Sequence, residues 1–190
     1  DYNDVDATSN GFKLPFITTM TCGTGSFAGS EGEYDYCLSE KFVVAGSASN
    51  PKGGVAAIAT ATIGTHTMYN NAMNLGVYEG IFTHNVSTAG EALNYGKFHL
   101  INSYIGQTQT YTSIFCHWHS LMGDPSLHLW TDTPYSPIVN FSDVIPNGAN
   151  SINISVHDQN GSPVSNALVT LLKNEDEIFT SKLTSSNGQV

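Results

Sequence analysis

Three cysteines and seven histidines carry most of the chemistry that this sequence could perform. Cys22 is the most informative of them. It follows LPFITTMT (residues 14–21), a β-branched and aromatic run that reads as a strand, and it precedes the glycine-rich stretch GTGSFAGSEG. In open α/β sheets the ligand crevice lies beyond the carboxyl ends of the strands. A thiol placed there is accessible, and glycines let a substrate backbone come close. The N–H groups of such a turn are also the kind of donor that holds an oxyanion during acyl transfer. Nucleophilicity would still need a nearby base to lower the thiol pKa. On this local pattern two readings stand, a nucleophile and a thiol that merely ends a strand. Cys37 and Cys116 fall on helical apolar faces and read as buried structural thiols. The three positions make no disulfide framework and match no zinc spacing.

The histidines divide similarly. His66, in GTHTMY, follows a run of buried-strand character, so it either lines a substrate crevice or is a solvated loop side chain. His117 and His119, in CHWH, would point to different faces of a helix, which argues against a shared zinc. His84, His99, His128 and His157 are isolated in sequence and read as structural or exposed. Asp4 and Asp6, with Asp1, offer carboxylates of the kind calcium takes, but acidic termini are usually just solvated. Structural calcium stays open, with no ligand set assigned, and no metal site is expected. There is no Gly-x-Ser-x-Gly elbow, Walker loop or His-Glu-x-x-His.

The elements that must position Cys22 follow from the pattern around it. Residues 35–46, DYCLSEKFVVAG, predict a helix capped by Asp35, with Leu38, Phe42 and Ala45 on one face and Gly46 ending it. Pro51 and Gly53-Gly54 turn the chain into VAAIATAT, a strand buried on both faces. A polar loop leads to a helix over 71–82. Ser87/Thr88 with Glu91 form a capping box before a helix reaching Tyr104. YTSIFCHWHSLM predicts a further helix ending at Gly123-Asp124-Pro125, and SLHLW a strand. Strands alternating with helices indicate an α/β domain with a largely parallel sheet flanked by helices. After TPYSP (133–137) come VNF, SINISVHD, ALVTLLKN and EIFTSKLT, separated by turn-forming segments. These predict the opening of an all-β sandwich resembling an immunoglobulin-like module, with fewer residues than such a module takes.

Composition narrows the function. Six lysines, no arginine and 16 acidic residues give a formal net charge of -10. The acidity is spread along the chain. This excludes the basic stripe that nucleic-acid binding needs. Only 12% of residues are charged, about half the usual 25%, yet 40% are hydrophobic, enough for a core. No stretch approaches the roughly 20 apolar residues of a membrane span. Asn-x-Ser sequons such as those at Asn85, Asn140 and Asn153 are expected in a chain this rich in Asn and Ser. With no initiator Met and no leader visible, the sequence reads as an excerpt of a longer protein.

PFITTMTCGTGSF, the Cys-x-x-Glu pair Cys37 and Glu40, the strand GGVAAIATAT and the later MGDPSLHLW occur in a fixed order. Together they resemble the gingipain-type cysteine peptidases, whose catalytic domain is also followed by an immunoglobulin-like module. The resemblance spans residues 12–133. It implies a caspase-like α/β fold, with residues 1–133 the C-terminal portion of the peptidase domain and 134–190 the N-terminal portion of a truncated immunoglobulin-like sandwich. It further implies that Cys22 is the nucleophile of an endopeptidase acting through a thioester. In that family the partner is a His in a His-Gly pair a few tens of residues before the Cys, a position upstream of residue 1. The oxyanion site would use the Cys22 N–H and that of the Gly beside the His. Gly23 and His66 are the expected substrate-binding residues, and Arg or Lys specificity does not carry over. The resemblance implies no cofactor for catalysis, a protein or peptide substrate, and the N-terminal part of the same precursor as a partner. It also implies a secreted or cell-surface bacterial location. The alternative is a peptidase fold kept as a non-catalytic scaffold, in a surface or secretion-associated binding protein.

Overall fold

A computed structural model of the chain describes residues 1–28, 35–106, 109–145, Gly148 and 151–190. The chain divides into two units, Asp1–Thr131 and Asp132–Val190.

The first unit is built on a three-stranded sheet in the order β1 (Phe16–Thr19), β4 (Ala56–Thr60), β5 (His119–Met122). Its sequence Ala-Ala-Ile-Ala-Thr suits β4 to the centre, and all five of its residues are buried. Small side chains let other segments close onto both faces. β1 runs parallel to β4, with Phe16 opposite Ala56 and Thr19 opposite Ala59. β5 runs antiparallel, with Thr60 opposite His119. The sheet is therefore mixed rather than largely parallel. The reason lies in α5 (Gln109–Trp118), which passes directly into β5 at His119. The expected helix through Met122 loses its last turn to strand pairing with β4. SLHLW in turn forms no strand and contributes only an isolated bridge from His128 to Thr88.

Two long helices, α3 (Thr67–Thr83) and α4 (Ala89–Ser103), pack closely on each other. Small residues set their separation. A Cβ at Gly76 would fall on His99, one at Gly80 on Tyr95 and one at Gly96 on Met73 and Val77. Ile58 from β4, Val77 and Ile81 from α3 and Ala92 and Leu93 from α4 form one buried cluster. Tyr69, Met73, Leu100 and Phe115 form a second. The N-terminus of α4 shows what the Gly-Asp-Pro-Ser-Leu segment does structurally. Thr88 caps it by accepting from the Glu91 N–H, as the sequence indicates. The Ala89 and Gly90 N–H groups donate to the Leu127 and Pro125 carbonyls, so N–H groups that a helix start leaves orphaned are satisfied.

Shorter elements complete the unit: α1 (Tyr2–Asp6), α2 (Leu38–Val44) and a ribbon of β2 (Gly46–Ser47) with β3 (Asn50–Pro51). α2 starts later than predicted. Its cap is Cys37 rather than Asp35, because the Cys37 N–H is taken by the Glu40 carboxylate at 2.9 Å. Cys37 is thus buried at a helix start, not on a helical face. α3, in contrast, starts four residues earlier than predicted. His66 caps it, Nδ1 accepting from the Met68 N–H at 3.2 Å.

The second unit holds two two-stranded antiparallel sheets. β6 (Ile138–Asn140) pairs with β7 (Ser155–His157). β8 (Leu168–Lys173) pairs with β9 (Ile178–Leu183) across the short helix α6 (Asn174–Glu177). Ile154, Val156 and Thr184 are buried, whereas Leu168, Leu172 and Phe179 on the β8–β9 hairpin are exposed.

Candidate active site

The loop after β1 is held down by short-range polarity and by glycine. Thr24 donates to the Thr19 carbonyl at 2.6 Å. Ser39, fully buried in α2, donates from Oγ to the Thr24 carbonyl at 2.7 Å, and its N–H reaches the same oxygen at 3.0 Å. Because the Ser39 hydrogen is spent there, the 3.1 Å contact with Thr19 Oγ1 must be a bond that Thr19 donates. From the β4 side, the Gly23 N–H donates to the Thr62 carbonyl (2.8 Å) and the Gly25 N–H to Thr60 (2.9 Å), while Ser26 Oγ donates to Ala61 (2.9 Å). Gly23 has φ +72°, a backbone conformation that side chains with a Cβ rarely adopt. Gly25 lies so close to β4 that a Cβ would sit 2.9 Å from Ala59 Cβ.

This cradle presents Cys22 exposed, beyond the carboxyl end of β1. Its sulfur lies 2.9 Å from Thr65 Oγ1, a residue of the β4–α3 loop. Asn70, buried in the first turn of α3, donates from Nδ2 both to Thr65 Oγ1 (3.2 Å) and to the Met20 carbonyl (3.1 Å). Hydrogen bonding from the Thr65 side chain, and then from its backbone, holds the Cys22 thiol below the usual cysteine range. Burial pushes Cys37 and Cys116 the other way, raising both thiols. The three cysteines therefore differ in chemistry, and only Cys22 is both exposed and acidified.

Of the sequence-predicted residues, Gly23 adjoins Cys22 with its N–H committed to Thr62, and His66 is exposed with Nδ1 committed to its capping bond. The His66 ring lies 6.0 Å from that of Tyr69, edge to face. Asp1 and Asp4 cap α1, and Asp6 pairs with Lys41 at 2.7 Å. Among the described residues no group of three or more His, Cys, Asp or Glu side chains is placed to hold a metal ion. Two of the histidines read as isolated are not. His99 Nδ1 meets Glu79 at 2.7 Å, and His84 approaches the other carboxylate oxygen at 3.9 Å while stacking on Tyr95. Glu79 and the cap residue His84 lie five residues apart at the end of α3, but the contact to His99 crosses to α4. His117 lies in the last turn of α5, and His119 is buried as the first residue of β5, with Nδ1 2.7 Å from the Phe115 carbonyl. Sequence reasoning missed Thr65 and Asn70. Their signal was faint: a Thr before the histidine that caps α3, and an Asn one turn into a helix that starts earlier than its apolar pattern suggests.

Residues 1–130 match the model of peptidase family C25. Among solved structures the chain is similar to the Arg-specific cysteine proteinase gingipain R (RgpB), at 23% identity and TM-score 0.71, over 99% of this chain and 40% of that one. It is also similar to the complex of Porphyromonas gingivalis RgpB pro- and mature domains, at 22% identity and TM-score 0.70, over 99% and 41%. A third structure, described as a protease, aligns at 15% identity and TM-score 0.72, over 99% and 42%. The chain thus spans about two-fifths of the length of these structures, and identities this low show a shared fold alone. No curated protein matches the chain.

Proposed function

The chain belongs to peptidase family C25, and on that premise we propose that it carries the nucleophile of a cysteine endopeptidase, with Cys22 in that role. The observation that carries this reading is the exposed Cys22 beyond the end of β1, hydrogen-bonded to Thr65 on a loop pinned from both α2 and β4. A nucleophile has to be reachable and fixed at once. Deprotonated Cys22 attacks the scissile carbonyl carbon, a C–S bond forms, and the carbonyl electron pair moves onto oxygen. The Cys22 N–H is the donor this chain offers to that oxyanion. The thiol proton, already passed before attack to a histidine of a His-Gly pair in the N-terminal part of the same precursor, goes from that histidine to the departing amine as the C–N bond breaks. Water then attacks the thioester, the C–S bond breaks, and the thiol is restored. Gly23 and His66 flank the nucleophile and are the residues we assign to substrate contact.

Residues 134–190 are proposed to begin an immunoglobulin-like sandwich; β6 overlaps the first of the four runs that suggested it, and β7 to β9 fall within the other three. A secreted or cell-surface protease made as a precursor fits the family, and the RgpB pro- and mature-domain complex offers a precedent for pairing with a precursor segment. No observation at the site favours the scaffold alternative. The test is peptide cleavage by the full-length gene product carrying Cys22→Ala. A loss on the order of 10⁶-fold, the scale of deleting an activated nucleophile, supports the assignment; unchanged cleavage removes it.

A further inference from the structure

We propose that Thr65 donates its hydroxyl hydrogen to the Cys22 sulfur and that Asn70 fixes the direction of that bond, so that the pair holds Cys22 as an oriented thiolate. This rests on Cys22 being the nucleophile. The Asn70 amide has a single orientation that its partners allow. The Met20 carbonyl can only accept, so the atom 3.1 Å from it must be the amide nitrogen. The same nitrogen then directs its second hydrogen at Thr65 Oγ1, 3.2 Å away. Asn70 Oδ1 is left buried with no partner among the described residues, so the orientation is retained for what the nitrogen does.

With its oxygen accepting from Asn70, Thr65 has one hydrogen to give, and the sulfur lies 2.9 Å away. A thiolate has no hydrogen, so in that state the bond can only run from threonine to sulfur. A thiol can reverse it, but then Thr65 oxygen accepts two donors and its own hydrogen loses this partner. The arrangement is complementary to the ionised form. It also ties the end of β1 at Met20 to the start of α3 across 50 residues of sequence.

The surrounding groups leave this bond undisturbed. His66, next to Thr65, has its Nδ1 on the Met68 N–H. Tyr69 packs against Tyr104 and Phe115. From α2, Glu40 accepts from the Cys37 N–H and Lys41 pairs with Asp6. The lowered Cys22 thiol, with Thr65 as its largest cause, agrees with the geometry.

The experiment is the pH dependence of iodoacetamide alkylation at Cys22 in the full-length gene product, read from the Cys22 peptide by mass spectrometry. Thr65→Val should move the midpoint to higher pH without lowering the rate at the alkaline plateau, since a more basic thiolate is intrinsically no weaker as a nucleophile. Thr65→Ser should restore the wild-type midpoint. Asn70→Ala should shift it in the same direction, and the double variant should shift no further than Thr65→Val alone, because Asn70 acts through Thr65. An unshifted midpoint in Thr65→Val, or failure of Thr65→Ser to restore it, overturns the proposal. Additive shifts in the double variant overturn the Asn70 role. Alkylation does not require turnover, so these results stand apart from the cleavage assay of Cys22→Ala. If that variant still cleaves peptides, the nucleophile assignment fails whatever the midpoints show.

Discussion

Replacing Gly25 by alanine would test whether the loop that presents Cys22 is held by close approach to β4. The added Cβ would lie 2.9 Å from Ala59 Cβ and 3.1 Å from the Ala59 carbonyl carbon. Ordinary contact begins at 3.4 Å, so one side must give by about 0.5 Å (3.4 minus 2.9). Ala59 belongs to the fully buried central strand, hydrogen-bonded on both edges, so the loop is the side that moves. Overpacking of this kind costs about 1–3 kcal/mol. The lower entropy of the unfolded alanine chain offsets about 0.4–1 kcal/mol of that. The net destabilisation is roughly 0–2.6 kcal/mol, or a fall in Tm of up to about 10 °C at about 2–4 °C per kcal/mol. The nucleophile moves with its loop. Since a 1 Å misplacement can cost about 100-fold, half of that predicts on the order of tenfold in kcat/KM. Gly64 is the control, lying on the β4–α3 loop with nothing within 4 Å of a Cβ. Gly64→Ala should raise Tm slightly by the same entropy argument. Calorimetry and peptide-cleavage kinetics on both variants read the prediction. If Gly25→Ala and Gly64→Ala change Tm with the same sign, the close-approach account of the loop is refuted.

Two further outcomes follow from buried titrating groups. Burial, with a smaller contribution from the positive charge of Lys97, lowers the His119 pKa below the ordinary histidine value, although the hydrogen bond to the Phe115 carbonyl acts in the opposite direction. A depressed pKa contributes stability that is full above the unfolded value, about 6.5, and is lost as pH falls toward the folded one. Thermal melts of wild type should therefore weaken from pH 7 to pH 5, and His119→Gln should show a shallower slope there even if its Tm is lower throughout. The thiols should separate as well. At pH 7, brief iodoacetamide treatment of the native protein should label Cys22 well ahead of Cys37 and Cys116, whose thiols burial raises. Equal labelling of all three would contradict the contrast in their environments.

What the sequence disclosed and what it hid divide along local and non-local lines. β1 and β4 were visible because β-branched and small residues mark a buried strand within a few positions. The Thr88–Glu91 capping signal was visible because both partners lie within one turn. The end of α5 was not. YTSIFCHWHSLM keeps a helical apolar pattern with no breaker, and the switch at His119 comes from pairing with Thr60, 59 residues away. The same switch made the sheet mixed. SLHLW has strand-like residues, but it only bridges the segment before α4, with the Leu127 carbonyl accepting from the Ala89 N–H, instead of forming a ladder. At the site, Cys22 was legible as a thiol following a strand, whereas its contact with Thr65 spans 43 residues and has no local signature. His99 and Glu79 likewise meet only because α3 packs on α4.

The central claim is that Cys22 becomes acylated during turnover. The most direct measurement is rapid acid quenching of the full-length protein while it turns over a peptide ester, followed by mass mapping of its peptides. The account predicts a substrate acyl group on the peptide containing Cys22, absent from Cys22→Ala. Continued turnover with no acyl group on Cys22, or with one on another residue, would contradict it.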